Sequence, residues 1–162
     1  MSKRILFVSQ RNSLRSVLAQ ACLMHIGGHL FVAESCGQPG HVSRAPHPAA
    51  IAALKSARIA VPASPPRPWT DISRMSSPKL DFVVTLDERT LASQPAWPGQ
   101  PICALWSFED AAALDDAQLA TQVAVRTLFA LQRRLELLVN LALHEADSAA
   151  IQSDLRDLGH MA

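Results

Sequence analysis

The sequence predicts an α/β fold, a four-stranded parallel sheet with helices on both faces. Four short apolar segments are rich in branched and aromatic residues, as is typical of strands buried on both faces. Helical patterns and loops separate these segments, and strands that alternate with helices join through right-handed crossovers into a parallel sheet. The chain has 162 residues, 49% of them apolar, which predicts one domain with a substantial core.

A strand–helix–strand pattern begins the chain. Residues 5–8 form the first predicted strand and residues 30–33 the second. Between them, residues 13–26 place apolar side chains at the i, i+3, i+4 spacing of one helical face, and the glycines at 27–28 end the helix. Residues 36–40 have the composition of a turn.

A proline-rich loop separates the two halves of the predicted sheet. Before it, Pro48 suits the first position of a second helix. Residues 62–68 contain four prolines, which exclude a helix or a central strand there, and we expect Trp69 to anchor the end of this loop. The third and fourth predicted strands are residues 82–85 and 102–105.

A long amphipathic helix is predicted over residues 116–144. Its apolar positions alternate +3 and +4, which defines one buried face. The residues on that face are Leu128, Leu131, Leu135, Leu138 and Ala142. We therefore expect one domain over residues 1–144, followed by a more polar tail, residues 145–162, that frays or forms a short helix.

Composition excludes several classes of protein. Lysine and arginine number 15 against 14 acidic residues, so bulk charge predicts neither a nucleic-acid partner nor a membrane partner. Only four apolar residues, 5–8, follow the basic N-terminus, whereas a secretory signal needs about 7–15. We therefore expect a cytoplasmic, monomeric protein.

The loop between the first strand and the first helix is the candidate functional site. In a strand–loop–helix arrangement, successive backbone N–H groups and the positive end of the helix dipole converge on one point, where an arginine can clamp an oxyanion. The candidate anion-binding residues are Ser9, Gln10, Arg11, Asn12, Ser13, Leu14, Arg15 and Ser16. The alternative is that Ser13 is an ordinary helix N-cap and Arg15 a solvated side chain.

This loop resembles that of the low-molecular-weight protein tyrosine phosphatase family, and specifically its thioredoxin-coupled arsenate reductase branch. The family loop is C-x5-R-[ST] directly after the first strand, and this chain has Ser9, Arg15 and Ser16 at that spacing. The resemblance extends over about residues 3–143. Its other segments, in order, are residues 47–48, 81–85, 95–102 and 106–110.

The resemblance implies a flavodoxin-like sheet and a set of catalytic positions. The family's nucleophilic cysteine falls on Ser9, its oxyanion-binding arginine on Arg15, and its general acid on Asp110. Asp110 is followed by Ala111 where the family has proline. A serine hydroxyl has a far higher pKa than a thiol, so the loop cannot ionise Ser9 near neutral pH.

Two further departures from the family concern redox chemistry and the loop itself. The two cysteines that the arsenate reductase branch uses after its third strand correspond to Asp87 and Gln94. Arg11 replaces a small loop residue; it either turns outward or adopts an unusual backbone conformation, and its charge either strengthens anion binding or fills the pocket.

The cysteines and histidines predict neither a disulfide framework nor a metal site. The three cysteines have no paired spacing, and the six histidines have no ligand spacing with cysteines or carboxylates. We expect Cys22 and Cys103 in the core. Cys36 follows the second strand, at the same sheet edge as the loop, so packing and a relocated reactive thiol are both open there.

Three functions fit these residues, and none of them implies a cofactor. The leading one is a non-catalytic protein that binds phosphate, sulfate, an arsenate-like oxyanion or a phosphorylated ligand. The second is a family enzyme, either weakly active through Ser9 or carrying an engineered Cys-to-Ser exchange. The third is a structural interaction module whose pocket Arg11 closes. The sequence identifies no protein partner.

Overall fold

The computed structural model describes residues 2–74, 76–143 and 148–161 of the chain. It contains one sheet of four parallel strands in the order β2-β1-β3-β4. The strands are β1 (Lys3–Val8), β2 (Phe31–Cys36), β3 (Phe82–Thr85) and β4 (Ile102–Leu105). This is the flavodoxin-like order, so the predicted fold class is confirmed.

The bounds of β3 and β4 match the sequence prediction, whereas the first two strands are longer than predicted. β1 begins at Lys3 rather than at residue 5, and β2 covers Phe31–Cys36 rather than residues 30–33. The reason is pairing. β1 lies between β2 and β3, and its parallel ladder with β2 runs in register from Lys3 with Phe31 to Val8 with Cys36.

In the part of the chain that the structure describes, four α-helices accompany the sheet: α1 (Arg15–Gly27), α2 (Pro48–Ser56), α3 (Ala117–Leu143) and α4 (Ser148–Leu158). The connections contain three 3₁₀ helices, Trp69–Asp71, Glu88–Ser93 and Ala111–Ala113. No helix in the described ranges combines the length and the apolar character needed to cross a membrane.

The predicted start of α1 was two residues too early, and that of α3 was one residue too early. Ser13 and Leu14 stay in the loop, so α1 begins at Arg15. α3 begins at Ala117 because the Asp116 carboxylate caps it, accepting hydrogen bonds from the N–H groups of Gln118 (2.9 Å) and Leu119 (3.1 Å). Residue 144 of the predicted helix and residues 145–147 of the tail lie outside the described residues.

The two faces of the sheet have different coverings. Alternate strand residues, such as Ile5 and Phe7, pack into a large cluster with apolar residues of all four α-helices. Leu128, Leu131, Leu135 and Leu138 of α3 are buried in it, as the periodicity predicted, whereas Ala142 is only partly buried. On the other face, Leu6 and Val8 pack under Trp69, Ile72 and Leu80. The helix in this covering is thus the short 3₁₀ helix Trp69–Asp71 rather than an α-helix, and the segment that leads to β3 completes it.

The prediction that Cys103 lies in the core was wrong, and the one for Cys22 is confirmed. Cys22 is fully buried on α1, whereas Cys103 is exposed. β4 is an edge strand, and alternation places Cys103 on the second face of the sheet. The second apolar cluster there draws strand residues from β1, β2 and β3 but none from β4.

Part of the tail forms α4, which packs against the edge of the sheet at β4. The Trp106 indole N–H donates to the Leu155 carbonyl at 3.0 Å, and Leu155 and Leu158 are buried. At the end of α4, Gly159 approaches β4 so closely that a Cβ there would lie 2.4 Å from the Leu105 carbonyl oxygen. A glycine is therefore required at this contact.

Replacing Gly159 by alanine should lower the free energy of unfolding by about 1–3 kcal/mol, because the added methyl group overpacks the contact with β4. Chemical denaturation monitored by circular dichroism measures this change. Ser153→Ala, at an exposed position of α4, is the matched control and should change stability little. Equal stability of the two variants would contradict the close packing of α4 on β4.

Candidate functional site

Residues 9–14 connect β1 to α1 at the carboxyl edge of the sheet. The chain goes from β1 to β2 on one side and later returns to β3 on the other, so this loop lies at the topological switch point. Ligands of open α/β sheets bind in the crevice at such a point.

Hydrogen bonds hold the loop carbonyls away from the loop's centre. Three N–H groups from the surrounding chain donate to them: Gln38 to Gln10 (2.9 Å), Ser43 to Arg11 (2.9 Å) and His47 to Ser13 (2.8 Å). In a planar trans peptide, the N–H points opposite to the carbonyl of the preceding residue. The N–H groups that follow the bound carbonyls therefore point toward the centre of the loop.

Several loop N–H groups are left without an acceptor. Within the described part of the chain, those of Arg11, Ser13 and Leu14 donate to no protein atom, whereas that of Asn12 bonds the Ser9 carbonyl at 3.3 Å. Unpaired N–H groups at the start of a helix are suited to bind an anion.

A network of small polar side chains fixes the interior of the loop. The Ser9 hydroxyl donates to the Ser16 hydroxyl oxygen at 2.7 Å, and the Asn12 amide donates to the same oxygen at 2.9 Å. Asn12 has a φ of 50° and accepts from the Arg67 N–H at 3.0 Å through its side-chain oxygen. The partner of the Ser9 hydroxyl is thus another hydroxyl rather than a base.

Arg15 extends from the start of α1 into the site, where it is only 5% exposed. Its Nη1 donates to the carbonyls of Leu86 and Phe108, both at 3.3 Å. Its Nη2 lies 2.9 Å from Asp87 Oδ2 and 3.5 Å from Asp110 Oδ2. Its Nε is buried with no hydrogen-bond partner among the described residues. A buried donor left unpaired costs about 1–3 kcal/mol, so this Nε favours an added acceptor.

Asp87, which the family resemblance marked only as the position of a redox cysteine, is also a partner of Arg15 in the site. Its Oδ2 contacts both Arg15 and the N–H of Gln10 (3.4 Å), while its Oδ1 accepts from the N–H of Arg89 at 3.0 Å. Asp87 lies two residues after the carboxyl end of β3, which pairs with the end of β1. A polar residue at that edge was the signal that could have found it.

A cavity of about 330 Å³ opens beside the Arg15 guanidinium. Its volume is sufficient for a small oxyanion or a phosphorylated group. Trp97 and Trp106 do not line it: Trp106 is buried in the core and Trp97 packs against the second apolar cluster. The lining residues are Arg15, Leu86, Asp87, Glu88, Arg89, Ser107, Phe108 and Asp110.

The segment that carries Asp110 is held in place from α3. The guanidinium of Arg134 lies 4.5 Å from the centre of the Phe108 ring and donates to the Met161 carbonyl at 2.8 Å. Burial lowers the pKa of Arg134, and the nearby Arg133 lowers it further. Asp110 itself caps the 3₁₀ helix Ala111–Ala113 by accepting from the Ala112 N–H at 3.1 Å.

The structure decides between the alternatives at three positions of residues 9–16. Ser13 is not the N-cap of α1, because that position is Leu14, which makes no side-chain capping bond. Arg15 is buried rather than solvated. Arg11 is exposed, so it turns outward and does not fill the loop.

Cys36 is packed rather than poised to react. It is fully buried among the residues of the second apolar cluster. Burial raises the pKa of its thiol well above the usual range, although the positive charge of Arg67 partly opposes this. Burial and the charge of Glu136 likewise raise the pKa of Cys22 to about 12. A thiol that stays protonated is a poor nucleophile.

No cluster of three or more histidine, cysteine or acidic side chains that could hold a metal ion occurs in the described residues. His47 has a structural role, because its Nδ1 accepts from the Ala49 N–H at 3.0 Å and caps α2. His47 also anchors the loop through its own N–H, which donates to Ser13.

Sequence comparisons show that this chain is similar to phosphatases and arsenate reductases. Residues 4–124 match the family model of low molecular weight phosphotyrosine protein phosphatase. The glutaredoxin arsenate reductase of Synechocystis sp. is 30% identical over 108 residues, which is 67% of this chain and 78% of that protein.

Solved structures share the fold. An arsenate reductase in the phosphate binding state superposes with a TM-score of 0.69 at 26% identity, over 85% of this chain and 97% of that one. An arsenate reductase from Archaeoglobus fulgidus gives a TM-score of 0.64 at 23% identity, over 84% of this chain and 98% of that one.

In the native protein, a thiol-alkylating reagent should modify Cys103 and leave Cys22 and Cys36 unmodified. Burial raises the pKa of all three thiols, but Cys103 is exposed to the reagent whereas the other two are buried. Mass spectrometry of the labelled peptides locates the modification. The folded Cys103→Ser variant should remain unlabelled. If Cys36 were labelled as fast as Cys103, the burial of Cys36 would be contradicted and it would again be a candidate reactive thiol.

Proposed function

The chain belongs to the low molecular weight phosphotyrosine protein phosphatase family, and on that premise we propose that it binds phosphate-like oxyanions without turning them over efficiently. The site is the loop of residues 9–16 together with Arg15. Inorganic phosphate, sulfate, arsenate and phosphorylated small molecules have the oxyanion chemistry that such a loop recognises.

One observation carries the proposal: among the described residues, the buried Arg15 Nε has no hydrogen-bond partner, and neither do several N–H groups of the loop that leads into Arg15. An oxyanion would accept hydrogen bonds from both sets of donors and relieve the cost of leaving them unpaired. The similar arsenate reductase in its phosphate binding state supports this class of ligand.

Weak or absent catalysis follows from the residue at position 9. The family resemblance puts the nucleophile there, and a serine hydroxyl remains protonated where a cysteine thiol would ionise. Its side-chain partner within the described ranges is the Ser16 hydroxyl, which cannot serve as a base. An uncompensated barrier of about 5–8 kcal/mol would slow turnover by a factor of about 10⁴–10⁶.

Thiol-based reduction of arsenate lacks its other participants as well. Asp87 and Gln94 stand where the resemblance places the two redox cysteines. Asp87 pairs with Arg15, and Gln94 donates to the Thr85 hydroxyl at 2.8 Å and accepts from the Trp97 indole at 3.3 Å. We therefore propose that arsenate is a ligand of this protein and not a substrate.

A weak phosphatase is the second candidate function, because one observation favours it. Asp110, the proposed general acid, is partly exposed at the cavity and lies 3.5 Å from Arg15. The acid and the oxyanion clamp are thus together even without a cysteine. The structural module with a pocket closed by Arg11 has no such support, since Arg11 points outward.

Replacing Arg15 should weaken phosphate binding measured by isothermal titration calorimetry. Arg15→Ala removes charge-assisted hydrogen bonds worth about 1.5–3 kcal/mol, which corresponds to a factor of about 10–150 in Kd. Arg15→Lys keeps a buried positive charge but loses the Nε donor, so it should also bind more weakly. Arg126→Ala, an exposed charge on α3, is the matched control. Unchanged affinity in both Arg15 variants would refute the proposed site.

Installing the missing nucleophile should create phosphatase activity. Ser9→Cys places a thiol at the start of the loop, where the helix terminus and Arg15 stabilise the thiolate. We expect negligible hydrolysis of an aryl phosphate by the unaltered chain and a gain of at least about 10³-fold in the variant. Arsenate-dependent oxidation of thioredoxin should be absent from both proteins.

Ser9→Ala is the control for that comparison, and it should match the unaltered chain. If the unaltered chain hydrolyses the aryl phosphate and Ser9→Ala abolishes the activity, Ser9 is itself a nucleophile and the non-catalytic proposal is wrong. If Ser9→Cys binds phosphate normally yet stays inactive, the site lacks more than its nucleophile.

A further inference from the structure

Asp87 places a carboxylate among the donors of the proposed anion site. Its Oδ2 lies 2.9 Å from Arg15 Nη2 and 3.4 Å from the Gln10 N–H, and the residue is only 6% exposed. A carboxylate is an acceptor only, so it uses donors that an oxyanion would also use. The site therefore contains its own internal anion.

The backbone fixes Asp87 firmly at this position. The N–H of Leu86, the preceding residue, bonds the Val8 carbonyl at 2.8 Å and continues the β1–β3 pairing. The Asp87 carbonyl accepts from the Thr90 hydroxyl at 2.9 Å, and its Oδ1 caps the 3₁₀ helix Glu88–Ser93. An oxyanion that enters the cavity would consequently lie beside this carboxylate.

The charges around the cavity make that contact selective. The guanidinium of Arg15 already contacts two carboxylates, those of Asp87 and Asp110. The negative charge of Glu88 and the positive charge of Arg89, which also line the cavity, cancel each other. A fully ionised oxyanion next to Asp87 would place two acceptors in contact with no proton between them. An oxyanion that carries a proton could instead donate a short, charge-assisted O–H bond to the carboxylate.

We propose that Asp87 makes the site selective for oxyanions that carry a proton, such as hydrogen phosphate and hydrogen arsenate, over fully ionised sulfate. The inference rests on the proposed function, because it assigns a specificity to the same site. Asp87 acts as the acceptor of the ligand's proton, and Arg15 with the loop N–H groups binds the remaining oxygens.

Calorimetric titration with inorganic phosphate and with sulfate at neutral pH tests this selectivity. The unaltered chain should bind phosphate at least about tenfold more tightly than sulfate, the effect of one hydrogen bond to a charged group. In Asp87→Asn, which can donate to sulfate, the two affinities should come within about twofold of each other. Asp71→Asn, an exposed carboxylate outside the cavity, removes the same charge and should preserve the preference.

A second variant separates specificity from folding. Asp87→Ser removes the carboxylate with a shorter side chain and should also abolish the phosphate preference. Equal binding of phosphate and sulfate by the unaltered chain would overturn the inference, as would an unchanged preference in both Asp87 variants. If neither the unaltered chain nor any variant binds either anion, the proposed function itself is wrong. That outcome differs from equal binding of the two anions, which contradicts only the selectivity.

Discussion

The orientation of the peptide planes between β1 and α1 is the constraint on which the rest of the site depends. The N–H groups of Gln38, Ser43 and His47 hold three loop carbonyls outward, and the loop N–H groups of Arg11, Ser13 and Leu14 have no acceptor among the described residues. The turn after β2 can come this near because position 37 is glycine; a Cβ there would lie 2.8 Å from the Gln10 carbonyl oxygen. The fold around the loop thus leaves these N–H groups available to the proposed anion without a contribution from any nucleophile.

The buried side chain of Arg15 connects this loop to the segments that follow β3 and β4. Its guanidinium contacts a carbonyl and a carboxylate that follow β3, and another pair from the segment after β4. That second segment is held in turn by Arg134, which stacks on Phe108 and bonds a carbonyl near the end of α4. A buried charge is tolerated only when such partners surround it. The position of Arg15 therefore depends on the packing of both α3 and α4.

Patterns that are local in sequence predicted most of the fold. The bounds of β3 and β4 and the buried leucines of α3 follow from apolar periodicity, which adjacent residues determine. Features that depend on distant partners were missed. The extension of β2 to Cys36 requires pairing with β1, and the exposure of Cys103 requires knowing that β4 is an edge strand. The contact between Asp87 and Arg15 joins residues 72 positions apart, so no local pattern reveals it.

Phosphate titration of the isotope-labelled protein, followed by NMR at each backbone amide, tests the central claim most directly. Saturable shifts should concentrate at the N–H groups of Arg11, Ser13 and Leu14, which have no acceptor in the described part of the chain, together with a shift of the Arg15 Nε–H. The amide of Asn12, already bonded to Ser9, should move less. Shifts scattered over exposed basic residues, with the loop amides unchanged at saturating phosphate, would contradict an anion site in this loop.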